Sequence, residues 1–130
     1  MPWLYKQSTG ELLKPDGTRH AFGFAGQREG LNNPAKQDVK NTGPLPVGDY
    51  TMSGWIDNDP HLGMCVIVLT PLPSNSMFGR SAFRIHGARS VERSGLNAFL
   101  TSSEGCVCIG DCVTRRAIWN STDKVLRVVA

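Results

Sequence analysis

The sequence predicts a mainly β protein, and three observations carry that expectation. Glycine and proline are abundant, at 14 and 8 of 130 residues, which breaks helices and supplies turns. Many apolar residues fall in short runs bounded by such turns, the pattern of a strand meander. At 40% hydrophobic and 19% charged, the chain has apolar content for one core, which excludes a disordered chain. No repeat or linker divides it, so residues 1–130 are expected to form a single domain.

Trp3-Leu4-Tyr5-Lys6-Gln7 reads as a first strand, Ser8-Thr9-Gly10 as a turn, and Glu11-Leu12-Leu13-Lys14 as a second strand. Pro15-Asp16-Gly17 is a turn with a mechanism, since Pro presets φ and Gly accepts the left-handed conformation. Thr18–Phe24 follows as a third strand. Gly26–Thr42 is polar and reads as a long surface loop, a type of segment that often carries function. Gly43-Pro44-Leu45-Pro46-Val47-Gly48 leads into an alternating strand at Asp49-Tyr50-Thr51-Met52. Both prolines suit an extended approach, because neither can donate to a ladder. Met64–Thr70 is apolar on both sides and is expected to be buried on both faces. Ala82–His86 alternates and stops at Gly87. Ser90–Leu100 reads as a short helix interrupted by Gly95, and Asp111 as the N-cap of another over Cys112–Trp119. Lys124–Val129 is the closing strand.

The 14 Lys+Arg exceed the 11 Asp+Glu by three, a net charge of +3. The basic residues are scattered, clustering only at Arg115-Arg116 and at the spaced Arg80, Arg84, Arg89 and Arg93. No basic run interleaves with aromatics, so nucleic acid is not an expected partner. The longest apolar run, Cys65–Leu69, falls far short of the roughly 18 residues a membrane span needs, and no membrane insertion is expected. Met1-Pro2-Trp3-Leu4-Tyr5-Lys6 lacks a basic segment followed by a long apolar one. The chain is therefore expected to be made in the cytoplasm without a signal peptide.

Cysteines stand at 65, 106, 108 and 112. With no export signal and a domain large enough to fold without staples, a disulfide framework is not expected. Cys65 reads as core, Cys108 and Cys112 as packing residues, and His20 and His61 as surface residues. Cys106, Cys108 and Cys112 with His86 raise the alternative of a zinc module, although Cys-x-Cys-x₃-Cys lacks the paired C-x₂-C spacing of zinc ribbons.

His86 and Cys106 are the informative pair. A cysteine nucleophile needs a thiolate, a nearby base and backbone N–H groups for an oxyanion. Gly105 permits close approach of a substrate, and the amides of Gly105 and Cys106 are candidates for the oxyanion site. His86 ends a strand before Gly87, and its ordinary titration range suits a general base.

Phe83-Arg84-Ile85-His86-Gly87, the sixteen residues between His86 and Ser103, and Ser103-Glu104-Gly105-Cys106-Val107 together resemble the signature of the L,D-transpeptidase superfamily. Gly43-Pro44-Leu45-Pro46-Val47-Gly48-Asp49-Tyr50 is similar to an upstream segment of the same enzymes. Trp3-x-Tyr5-x-Gln7-Ser8-Thr9-Gly10-Glu11-Leu12 and Asn32-Asn33-Pro34-Ala35 narrow the resemblance to the type VI secretion L,D-transpeptidase effectors, small antibacterial toxins.

The resemblance implies an L,D-transpeptidase-like β sandwich or barrel with one or two short helices. It implies Cys106 as nucleophile and His86 as base, with no cofactor or metal. Peptidoglycan stem peptides are the implied substrate, by L,D-carboxypeptidase or D-amino acid exchange chemistry. A secretion apparatus is implied for delivery to the periplasm of a target bacterium, and a cognate immunity protein as partner. The sequence departs from the superfamily at Glu104, where a His is usual, and at Cys108, where Asn or Arg is usual. The second departure leaves the substrate carboxylate without its usual contact, for which Arg115, Arg116 and Arg84 are candidates. Ser103 and Gly87 complete the expected substrate-binding set. A non-catalytic wall-binding or structural module of the same fold is the rival reading.

Overall fold

The computed structural model describes residues 1–87 and 103–130. Their strands are β1 (Trp3–Lys6), β2 (Glu11–Leu13), β3 (Arg19–Ala25), β4 (Gly48–Asp59), β5 (Gly63–Pro71), β6 (Arg84–His86), β7 (Val107–Ile109) and β8 (Val125–Val129). One α-helix, α1 (Cys112–Asn120), stands among the described residues, with two single-turn 3₁₀ helices at Arg28–Gly30 and Pro34–Lys36. The helix expected at Ser90–Leu100 lies outside the described residues.

The strands close into a barrel in the order β1-β2-β3-β7-β6-β5-β4-β8, and β8 returns to pair in parallel with β1. Closure gives every strand two neighbours, although β4 beyond Thr51 pairs with β5 alone, and at eight strands the interior is filled by side chains. Tyr5, Leu12, Tyr50, Ile67, Ile85 and Leu126 are fully buried there. The expected mainly β fold is the observed one, and its barrel form is the closed alternative.

Most strands lie where turn chemistry and alternation put them. Asp111 caps α1, its carboxylate accepting the Thr114 N–H at 2.9 Å. The helix packs over the outer side of β5 and buries Ile118, which contributes roughly 1.5–3 kcal/mol. This cover explains why Cys65, Val66 and Ile67 of β5 are buried in succession. The long loop after β3 is built from the two 3₁₀ turns, with Asn33 capping the second through its bond from the Ala35 N–H. Strand β7 is not among the strands the sequence predicts.

The cysteine expectation requires correction. Cys65, at the start of β5, is disulfide-bonded to Cys112, the first residue of α1, with Cα atoms 5.5 Å apart. Cys65 is in the core as expected, but its sulfur is a staple. Cys112 is a cross-link and not a packing residue. Cys106 and Cys108 take no part in this disulfide. His20 is also less peripheral than expected: it is half-buried against the Trp3 ring.

Candidate active site

Strands β6 and β7 run parallel, with Ile85 opposite Val107 and His86 opposite Cys108. A parallel pair needs a long connection, and sixteen residues separate His86 from Ser103 in the sequence. Side chains alternate along a strand. Ile85, Val107 and Ile109 belong to the barrel core, so Arg84, His86 and Cys108 share the outer face, with Cys106 immediately upstream of β7. Two short strands thus gather the expected nucleophile and base on one patch of the barrel wall.

His86 is buried, and its Nδ1 lies 2.7 Å from the Gly87 carbonyl oxygen. A carbonyl only accepts, so Nδ1 carries the proton that faces Gly87. The Cys108 sulfur lies 3.8 Å from Nδ1 and 3.9 Å from Nε2.

Cys106 leaves a turn held from several sides. Gly105 has φ +125, and a Cβ there would lie 2.4 Å from Arg80 Nη2 and 2.7 Å from Phe83, so only glycine fits. The Ser103 hydroxyl accepts the Gly26 N–H at 2.9 Å and the Gly105 N–H at 3.2 Å, and donates to the Cys106 carbonyl at 2.8 Å. The Leu45 N–H donates to the Gly105 carbonyl, and Gln7 Nε2 donates to the Leu45 carbonyl at 2.8 Å. Buried Arg80 spreads its guanidinium over the carbonyls of Gln37, Gly43, Pro44 and Glu104. The Gly43–Pro46 segment is therefore a brace for the Cys106 turn as well as the approach to β4. On the other side of Cys106, Ala82 sits at φ +66, an uncommon conformation for a residue with a side chain, and points its carbonyl at Sγ from 3.9 Å.

Burial pushes the Cys106 thiol above its ordinary range. The Arg84 N–H and guanidinium pull it down, Glu104 adds to the rise, and Arg80 opposes it. Desolvation dominates, so the resting group is the thiol, and nucleophilic attack by it would require a base.

The arginines proposed from sequence part company. Arg84 is half-buried beside Cys106, its Nη1 donating to the Phe83 carbonyl at 3.0 Å. Arg116 is exposed over the Trp55 ring. Arg115 is buried and donates to the carbonyls of Met64, Cys65, Ile109 and Gly110. Those bonds describe a structural strut and not a group held ready for a substrate carboxylate, nor the solvated helix face that its charge suggests. Ser103 likewise spends its hydroxyl within the turn, and Gly87 serves through its carbonyl. Cys112, tied to Cys65, is withdrawn from the four-ligand zinc set. Arg80 and Gln7 are the braces sequence reasoning missed; a polar residue inside a motif-poor segment gives no signal of the carbonyls it will meet.

In this closed barrel His86 stands on β6 with its imidazole held by a carbonyl, and Cys106 directly precedes the parallel neighbour β7, the residue types that a cysteine nucleophile and its base require. Residues 19–129 match the family model of the Tlde1 domain, and the chain belongs to that family of type VI secretion effectors with L,D-transpeptidase-type activity on peptidoglycan. Effectors of this family are secreted into target cells. No curated protein and no solved structure matches the chain. No helix among the described residues is long and apolar enough to cross a membrane.

Proposed function

We propose that the protein acts as an L,D-carboxypeptidase or D-amino acid exchanger on tetrapeptide stems, with Cys106 as nucleophile and His86 as general base. The observation that carries this reading is the shared outer face of β6 and β7, with the His86 ring oriented by the Gly87 carbonyl. Nε2 takes the Cys106 thiol proton as Sγ attacks the carbonyl carbon between meso-diaminopimelate and the terminal D-Ala. The oxyanion rests against the Cys106 N–H, since the Gly105 N–H is engaged by Ser103. Collapse breaks the C–N bond, Nε2 returns the proton to the D-Ala amine, and a thioester remains on Cys106. Attack by water gives the tripeptide carboxylate, while attack by the amine of a free D-amino acid gives the exchanged stem. Both regenerate the thiol.

Among the described arginines, Arg84, on β6 beside Cys106, is best placed to meet a stem carboxylate. The site lies on a patch that an immunity protein would have to cover, and delivery by the secretion apparatus would place it in the target's periplasm. Residues 1–130 are read as a single catalytic domain, a reading supported by the pairing of β1 with β8 that closes the barrel.

The test is product mass. Muropeptides with tetrapeptide stems, incubated with and without D-Met, lose one D-Ala or exchange it for D-Met. Cys106→Ala and His86→Ala each lower the rate on the order of 10³-fold or more. Unchanged stems with folded, Cys106-reduced protein would sink the reading, and wall binding that survives Cys106→Ala without turnover would favour a binding module.

A further inference from the structure

The Cys65–Cys112 disulfide lies outside the proposed chemistry, yet it shares a junction with the base. Arg115 stands three residues after Cys112 on α1, and its Nε donates to the carbonyl of Cys65 at 2.8 Å. Its Nη1 donates to the carbonyl of Ile109, at the end of the strand that follows Cys106, at 2.6 Å. The same guanidinium packs against Gly87, where an added Cβ would lie 3.0 Å from Nη1. Gly87 in turn supplies the carbonyl that orients His86. Cys65 is held at φ +60, a left-handed conformation that a residue with a side chain adopts at a cost. Its carbonyl faces Arg115 in that conformation.

The disulfide also has the surroundings of a reactive one. Arg116 Nη2 lies 3.8 Å from both sulfurs. Cys112 is half-exposed at the first position of a nine-residue helix, while Cys65 is buried. A cation and a helix N-terminus both favour thiolate, and a better thiolate is a better leaving group in exchange.

We propose that the Cys65–Cys112 disulfide is a reversible modification site, opened by dithiol reductants and closed by disulfide oxidants, whose opening disarms the His86–Cys106 site through Arg115. The proposal rests on the catalytic reading for the identity of the disarmed site. In opening, one thiolate of the reductant attacks the accessible Cys112 sulfur, the S–S bond breaks, and Cys65 leaves as a thiolate beside Arg116. The second thiolate of the reductant then attacks its own sulfur in the mixed disulfide and releases Cys112. Two electrons pass to the protein, the reductant becomes a cyclic disulfide, and the two new thiolates take protons from water. Without the cross-link, α1 no longer clamps β5, and the Arg115–Gly87 contact that backs the imidazole loosens.

The experiment compares two preparations of the native full chain, both with Cys106 and Cys108 confirmed free by mass. One is oxidised with disulfide dithiothreitol; the other is reduced with dithiothreitol and desalted under anaerobic conditions. Expected are opening without denaturant, a loss of D-Ala release or D-Met exchange of about tenfold or more, and recovery on reoxidation. The His86 Hε1 resonance shifts or broadens with the same midpoint. Cys65→Ala/Cys112→Ala behaves like the reduced form and ignores dithiothreitol. Arg116→Ala, an exposed change, slows opening about three- to tenfold, which decides the reactivity claim even where the double variant does not fold. Opening that leaves both activity and the His86 resonance unchanged overturns the proposal, as does a disulfide that resists dithiothreitol until the protein unfolds. Inactivity in both states with a moving His86 resonance supports the coupling and overturns the L,D reading instead.

Discussion

Arg80 and Arg115 are the two buried arginines among the described residues, and both spend their guanidinium groups on backbone carbonyls. Burial pulls both below their ordinary range, yet both remain charged, because the group is never far from full protonation at neutral pH. Arg80 braces the nucleophile side: its partners are the 37–44 segment and Glu104, next to the Gly105–Cys106 turn. Arg115 braces the base side: its partners are the ends of β5 and β7, and it backs Gly87. Arg80 is reached by no cross-link, whereas Arg115 is fastened through α1 and the Cys65–Cys112 disulfide. One brace is held by hydrogen bonds alone, and the other sits on a helix that a covalent bond also ties to β5.

That contrast is most severely strained by breaking each brace. The cross-link spans a sequence separation of 47 residues, for which loop entropy predicts a stabilisation of about 4 kcal/mol. Reduction should therefore lower Tm on the order of 10–15 °C by calorimetry. Arg80→Met leaves four carbonyls without their donor and should cost about 3–5 kcal/mol. Its damage to turnover should be the same in oxidised and reduced protein. Arg115→Met should instead abolish the difference between the two redox states, because the connection from disulfide to Gly87 is gone. Equal redox sensitivity in the two variants would erase the distinction between the halves.

A smaller effect sharpens the nucleophile side. The Cys106 thiol is raised by burial and pulled down by Arg84, so iodoacetamide should label it with a midpoint above the ordinary thiol value of about 8.5. Reactivity should rise with pH through that midpoint, since only the thiolate attacks. Arg84→Ala should move the midpoint further up, and a downward shift would show that the electrostatic account of Cys106 is wrong.

Much of the frame was legible because its signals are local. Pro15-Asp16-Gly17 marks its turn by backbone preference, Asp111 marks the start of α1 by its capping oxygen, and Tyr50 and Met52 alternate into the core. His86 and Cys106 were singled out by residue type and by the resemblance of their surroundings to the L,D-transpeptidase signature. Strand β7 was missed because Val107-Cys108-Ile109 is three residues long between glycines, too short to show a period. The disulfide was missed because 47 residues separate its ends and the chain gives no sign of their meeting. Arg115 was a candidate for the substrate carboxylate because charge at a helical position normally faces outward; only the fold reveals that it donates to the carbonyls of Cys65 and Ile109. Such nonlocal partners are set by barrel closure, and no window along the sequence contains them.

The central claim is that Cys106, and not its neighbour Cys108 on the imidazole, forms the covalent bond to the stem. The direct measurement is an acid quench of oxidised protein with tetrapeptide muropeptide, followed by intact mass and peptide mapping. The account predicts one thioester adduct with the mass of the acyl tripeptide muropeptide, on Cys106, present with Cys108→Ala and absent with Cys106→Ala. An adduct on Cys108, or full turnover by Cys106→Ala, would contradict it.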